Sequence, residues 1–333
     1  MTNKMSQISP QNSTASYINL FQQPAQWLYA FWKFSRPHTI IGTSLSVLAL
    51  YVITLATASG GATSLWHSLS SSDSWVQLLG SWMACLGGNV YIVGLNQLED
   101  VEIDQINKPH LPIAAGEFSR RQAQVIVGVL GILALLLAWL LGPWLLLMVG
   151  TSLAIGTAYS LPPIRLKRFP LWAALCIFLV RGVVVNLGLF FHFSWVSQPY
   201  AVMIPTPAVW ALTGFILVFT FAIAIFKDIP DLEGDKQYNI RTFTIQLGKP
   251  VVFNLARWVL TLCYLGMMLA GLWLNSVNFA FLISTHLVAL GLMWWQSLQV
   301  DLQDKFAIAQ YYQFIWKLFF LEYFIFPAAC LLG

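Results

Sequence analysis

The chain repeats one pattern from near its start to its end: apolar stretches of about 20 residues, long enough at the helical rise per residue to cross a hydrocarbon core. About nine of them can be read, over 39–58, 76–98, 123–141, 143–160, 171–192, 207–227, 251–274, 277–296 and 311–332. A backbone amide in lipid has no water to bond. A spanning segment must therefore be a helix or part of a closed barrel, and continuous apolar runs of this length fit helices. Composition agrees: 58% of the residues are hydrophobic and 9% charged, with mean hydropathy +0.70, too little polar surface to clothe a soluble globule of 333 residues. The expected fold class is an all-α membrane bundle.

The net charge of +4 matters less than its distribution. With the N-terminus in the cytoplasm, the tail and loops on that side carry Lys33, Arg36, Lys108, Arg120, Arg121, Arg165, Lys167, Arg168, Lys236, Arg241, Lys249 and Lys305. The connections near 59–75, 142–143, 193–206 and 275–276 carry neither Lys nor Arg. This alternation follows the positive-inside rule and supports both the helix count and the orientation. Positive residues spread over the loops of a bilayer-embedded bundle argue against a nucleic-acid partner. Cys85, Cys176, Cys263 and Cys330 fall inside spans without CxxC spacing and read as small packing residues. Residues 1–30 form a polar tail expected to be flexible, with no apolar core of a secretory signal. Residues 31–333 are expected to form one membrane domain, and no obligatory protein partner is evident.

Eight of the 13 acidic residues fall in two short segments: Glu99, Asp100, Glu102 and Asp104, then Asp228, Asp231, Glu233 and Asp235. Asn96, Asp100 and Asp104 are spaced i, i+4, i+8, so a continuous helix stacks them on one face. Asp228, Asp231 and Asp235 share a face in the same way, although Pro230 is expected to break or kink the sixth span inside the motif. The segments echo one another, since Asp100-Val-Glu-Ile-Asp104 with Asn107 matches Asp231-Leu-Glu-Gly-Asp235 with Asn239, one after the second span and one after the sixth. That placement suggests a pseudo-repeat of two four-helix halves with a ninth helix added. Crowded carboxylates beside a membrane need a cation. Hard oxygen donors suit Mg2+, which binds through a few carboxylates together with substrate phosphates.

The run Asn96-Gln-Leu-Glu-Asp100-Val-Glu-Ile-Asp104 resembles the NxxxDxxxD motif of the UbiA-type intramembrane aromatic prenyltransferases, and Asp228-Ile-Pro-Asp231-Leu-Glu-Gly-Asp235 resembles their second Asp-rich motif. The loop Tyr159-Ser-Leu-Pro-Pro-Ile-Arg165-Leu-Lys167-Arg168 is similar to the family's cytoplasmic Tyr-plus-basic segment, with Tyr and Lys further apart than in the common YxxxK form. Phe34-Ser-Arg36-Pro37-His38-Thr39-Ile40-Ile41-Gly42-Thr43, Gln97 after the motif Asn, and Asn186-Leu-Gly-Leu resemble the homogentisate-prenylating branch.

The resemblance implies a nine-helix bundle with a central cavity capped on the cytoplasmic side. It implies Mg2+ held by Asn96, Asp100, Asp104, Asp228, Asp231 and Asp235, which would also be the catalytic set. Candidates for the diphosphate are Arg36, Lys108, Tyr159, Arg165, Lys167, Lys227 and Arg241. Candidates for an acceptor carboxylate are Arg181 and Asn186 of the fifth span, with a structural ion pair or interhelical hydrogen bond as the alternative. The implied partners are a prenyl diphosphate, phytyl diphosphate in this branch, and the aromatic acceptor homogentisate. The implied place is a cyanobacterial cytoplasmic or thylakoid membrane, or a plastid membrane. Homogentisate solanesyltransferases, chlorophyll synthases and quinone-pathway enzymes share the diphosphate machinery. A transporter is the alternative from another class, and it would gather charge near the midplane in pairs of interrupted helices. Lys317, Glu322 and His286 read as packing or interfacial features.

Overall fold

The computed structural model describes residues 17–57, 71–197, 203–238 and 240–333. In chain order the helices are α1 (Pro24–Phe34), α2 (Pro37–Ala56), α3 (Ser72–Glu99), α4 (Val101–Asn107), α5 (Arg120–Leu141), α6 (Pro143–Ser160), α7 (Pro170–Ser197), α8 (Pro207–Phe226), α9 (Leu232–Gln237), α10 (Phe243–Leu247), α11 (Lys249–Trp273), α12 (Phe279–Ser297) and α13 (Lys305–Leu331). Among the described residues nine helices, α2, α3, α5 to α8 and α11 to α13, are long and apolar enough to cross a membrane. They match the nine stretches expected from sequence within a few residues, except that α13 begins six residues early. Asp304 caps it by accepting from the Phe306 amide at 2.8 Å, and Lys305, Gln310 and Gln313 interrupt the apolar run of its first turns.

Local signals explain the boundaries. Proline opens α1, α2, α6, α7 and α8, where its missing N–H is unneeded and its fixed φ already suits a helix. Ser119 and Gln122 form a reciprocal capping box at the start of α5. Only Gly142 separates α5 from α6. Its φ of 140° and a Trp195 ring atom 2.5 Å from where a Cβ would stand both demand glycine.

Burial sorts the helices into centre and rim. In the most apolar window of α8, 67% of residues are buried inside the protein, against 22% in α5 and α12, so α8 is the central helix while α5 and α12 turn apolar faces outward. Small residues let helices approach. Gly87 of α3 sits against the Leu130 carbonyl and Ala134 of α5, and Gly94 accommodates Phe34 and Val127. Aromatic rings fill the centre: Tyr264 meets Phe215 and Phe219 edge to face, and Phe219 packs against Phe319 at a tilt. His286 and Glu322 are packed there too, Nε2 to Oε2 3.2 Å, neither more than 1% exposed.

Two expectations are corrected. The polar tail does not extend to residue 30: residues 24–30 already form most of α1, anchored by Lys33 to Glu117, while residues 1–16 lie outside the described residues. The first acidic motif is not one continuous helix either. The chain breaks at Asp100 (φ −115°, ψ 22°), where α3 ends and α4 begins. The second motif breaks as expected from Pro230: α8 stops at Phe226, residues 227–231 turn, and α9 follows.

Candidate active site where two broken helices meet

Each acidic motif sits where a long span breaks and gives way to a short helix, and the two short helices touch. Asn107 of α4 accepts a hydrogen bond from the Gly234 amide of α9 at 3.0 Å. A Cβ at Gly234 would stand 2.5 Å from the Asn107 Oδ1, so glycine is what allows the approach. Lys108 ties the motifs electrostatically, its Nζ 2.5 Å from Asp231 Oδ2. Asn239, matched to Asn107 in the sequence, lies outside the described residues.

Both motifs face one cavity of about 800 Å3 that runs from this polar rim down between α2, α3, α6, α7, α8 and α13. Every candidate site residue read from the sequence lines it except Arg165 and Asn186. Arg165 instead supports Asp100 from behind, Nη2 to Oδ1 3.1 Å, and bonds the Glu99 carbonyl. Asn186 is fully buried on α7, away from the cavity, with neither amide atom hydrogen-bonded. The register explains it: Arg181 and Val185 face the cavity, and the next residue is turned by about 100°.

The rim is densely paired. Asp100 receives Lys167 at 2.6 Å, Arg165 at 3.1 Å and the Asn96 amide at 2.9 Å. Arg36 donates to Asn96 Oδ1 at 3.2 Å, and Lys227 lies 3.4 Å from Asp228 and 3.5 Å from the Tyr159 hydroxyl. Arg36 and Arg165 are the only non-glycine residues with positive φ among those described, 53° and 39°, a backbone cost offset where Arg36 bonds Asn96 and Arg165 pairs with Asp100. Burial lowers Lys167 from the ordinary lysine range, against the pull of Asp100.

One aspartate in each motif lacks such a partner. Asp104 is 5% exposed with an unbonded buried oxygen, and burial pushes its carboxyl up to about 6. Asp235 is 7% exposed, and burial, with Asp231 and Asp228 adding repulsion, pushes its carboxyl up to about 7. Among the described residues no three His, Cys, Asp or Glu side chains close into a cage. The carboxylate and amide oxygens of the two motifs suit a hard cation that takes a few of them and completes its shell with water and substrate oxygens.

Deeper in the cavity, a π-helical turn over Leu179–Val184 interrupts α7 and carries Arg181. Its guanidinium stacks over Trp316 at 5.4 Å and Phe319 at 5.5 Å, with no carboxylate partner among the described residues. Gly42 gives it room, since a Cβ there would stand 2.8 Å from Arg181 Nη1. Asn89 of α3 also lines the wall, donating to Thr39 Oγ1 at 3.0 Å. Sequence reasoning assigns Asn89 no role, although an amide inside an apolar span is the signal that marks it.

The chain is similar to known proteins in both sequence and fold. Residues 52–318 match the UbiA prenyltransferase family. The chain is 57% identical over 303 residues, 91% of its length and 96% of the relative's, to the homogentisate phytyltransferase of Synechocystis sp.. It is 38% identical over 308 residues, 90% of its length and 75% of the relative's, to homogentisate phytyltransferase 1, chloroplastic, of Arabidopsis thaliana. Its fold superposes on a UbiA homolog from Archaeoglobus fulgidus bound to GPP and Mg2+ with a TM-score of 0.60 at 15% identity, covering 90% of this chain and 99% of that one. Nine helices long and apolar enough to span a membrane among the described residues, two carboxylate-rich breaks facing one cavity, and these similarities lead to one assignment: the chain belongs to the UbiA prenyltransferase family.

Proposed function

We propose that the protein transfers a phytyl group from phytyl diphosphate to homogentisate, releasing pyrophosphate and carbon dioxide and giving 2-methyl-6-phytylbenzoquinol for tocopherol synthesis. The observation that carries this reading is one cavity with two chemically distinct ends. A charged rim suits a diphosphate, and an unpaired arginine in an aromatic pocket suits the carboxylate of a small aromatic acid. The relatives named above supply the substrate identity. On this reading the chain from α1 onward is one catalytic domain of two four-helix halves and a ninth spanning helix. The membrane is cyanobacterial (cytoplasmic or thylakoid) or plastid, with the rim on the cytoplasmic or stromal side beneath a cap.

The rim's acids and bases nearly offset one another, so a diphosphate arriving alone would leave excess negative charge. Mg2+ is the cation that the donor set fits, and it would supply Lewis-acid neutralisation of the leaving group. Asp104 and Asp235, which have no ion-pair partner, would hold it, together with Asn96, Asp100, Asp228 and Asp231 as their lysine and arginine contacts rearrange. Arg36, Lys108, Lys167, Lys227, Arg241 and the Tyr159 hydroxyl would bind the diphosphate oxygens and stabilise charge as the allylic C–O bond breaks. The apolar walls exclude water from the allylic cation, and the Trp316 and Tyr312 rings offer it π faces. Arg181 orients the acceptor through its carboxylate.

Purified protein with Mg2+ should convert homogentisate and phytyl diphosphate to the prenylated quinol, and Arg181→Gln should raise KM for homogentisate more than tenfold while leaving KM for the donor unchanged. A preference for a long-chain donor or for chlorophyllide in the same cross of substrates would replace the donor or acceptor assignment.

A further inference from the structure

The geometry points to His38 as the group that accepts the proton of the acceptor ring and returns a proton to the side-chain carbon, an inference that rests on the reaction proposed above. Coupling replaces a ring hydrogen with the prenyl group. The new C–C bond forms as the C–O bond to diphosphate breaks, the ring C–H bond then breaks, and its electron pair restores aromaticity while the proton leaves. Loss of carbon dioxide breaks the bond from the methylene to the carboxylate carbon, and the pair left behind takes up a proton to complete the methyl group. One proton is released and one consumed, so the reaction needs no net acid or base. A single group in a dry cavity that first accepts and then donates satisfies both steps.

Among the described residues, His38 is the imidazole that faces the inner cavity. His110 also lines it but is exposed at the rim. His192 is bonded to Ser81 at 2.9 Å, and His286 is committed to the Leu282 carbonyl at 2.8 Å and to Glu322. The carboxylates gather at the rim with the lysines, and the guanidinium groups keep their protons. Tyr159 is engaged by Lys227.

Placement strengthens the choice. The His38 ring lies 4.8 Å from the Trp316 ring, the same indole that stacks under Arg181 at 5.4 Å. An acceptor whose carboxylate rests on Arg181 therefore brings its ring and its methylene carbon alongside His38. No hydrogen bond to a described residue occupies either ring nitrogen, while the next residue, Thr39, turns its hydroxyl back onto the Ser35 and Arg36 carbonyls. Pro37 at the first position of α2, after the left-handed Arg36, fixes the backbone that carries the imidazole.

The test uses the full chain in lipid nanodiscs with Mg2+, phytyl diphosphate and homogentisate, following quinol, pyrophosphate and phytol separately. His38→Gln should lower kcat for quinol by roughly 10²- to 10⁴-fold. KM for phytyl diphosphate should stay within about twofold and pyrophosphate release should continue, its prenyl group now ending as phytol, a partition that simple loss of structure would not produce. His38→Ala should regain part of its turnover with added imidazole, in proportion to the neutral form of the buffer. Wild-type kcat in His38→Gln, or equal loss of quinol and pyrophosphate with no imidazole rescue in His38→Ala, would overturn the assignment. Wild-type protein inert towards homogentisate would instead overturn the functional reading.

Discussion

Replacing Asp104 by asparagine separates a ligand from a structural acid, because Asp104 has no ion pair to lose. Its carboxyl moves from 3.8 to about 6 on folding, chiefly through burial. At 1.36 kcal/mol for each pH unit, that rise is a penalty of ~3 kcal/mol for keeping the group charged in the metal-free fold. The folded chain holds this proton more tightly than the unfolded one. The cost is therefore absent below 3.8, grows as pH rises to about 6, and is fully present above it. Asp104→Asn removes the charge and keeps the shape, while the unbonded amide gives back ~1 kcal/mol. The variant should therefore be more stable than the parent by roughly 1–2 kcal/mol at about pH 7.5 in EDTA, with the advantage gone near pH 4. Thermal unfolding of the purified protein in detergent measures it. Turnover with saturating Mg2+ should fall at least ~10²-fold. A variant that melts several degrees lower and stays active would refute the reasoning, since it would make Asp104 a structural acid.

Three further outcomes follow from the rim. Lys167→Met leaves Asp100 with Arg165 and Asn96, so stability should fall by only ~1–3 kcal/mol while KM for the prenyl diphosphate rises more than tenfold in steady-state kinetics. Because burial raises the carboxyls of Asp235 to about 7 and Asp104 to about 6, metal must displace protons there as pH falls. The Mg2+ concentration giving half-maximal rate should accordingly climb as assays move from above 7 to below 6. Gly234→Ala places a methyl against Asn107 and pries the motifs apart, so turnover should drop at least tenfold with little change in melting temperature.

The spans are legible in the sequence because a run of apolar residues needs no partner to declare itself, and the acidic motifs are legible because charge is scarce in this chain. The approach of α4 to α9 is not. It depends on Asn107 meeting the backbone of Gly234, a contact 127 residues apart that spacing does not encode. The break at Asp100 is hidden because the i, i+4, i+8 spacing of Asn96, Asp100 and Asp104 fits an unbroken helix. What ends α3 there is tertiary, the pull of Arg165 and Lys167 on one carboxylate. Arg181 and Asn186 look alike as polar residues in one span. Five residues apart on a helix, they point about 140° from one another, so one faces the cavity and the other packs between helices. Helix α1 is concealed in a stretch whose composition reads as tail, because its order comes from Lys33 meeting Glu117 and Trp27 meeting Phe118.

Calorimetric titration of the protein with a non-hydrolysable phytyl thiodiphosphate, with and without Mg2+, addresses the joint action of the two broken helices most directly. The account predicts tight binding that needs the cation and is lost in both Asp104→Asn and Asp235→Asn, one acid from each motif. Equal affinity in EDTA, or loss with one substitution and none with the other, would contradict it.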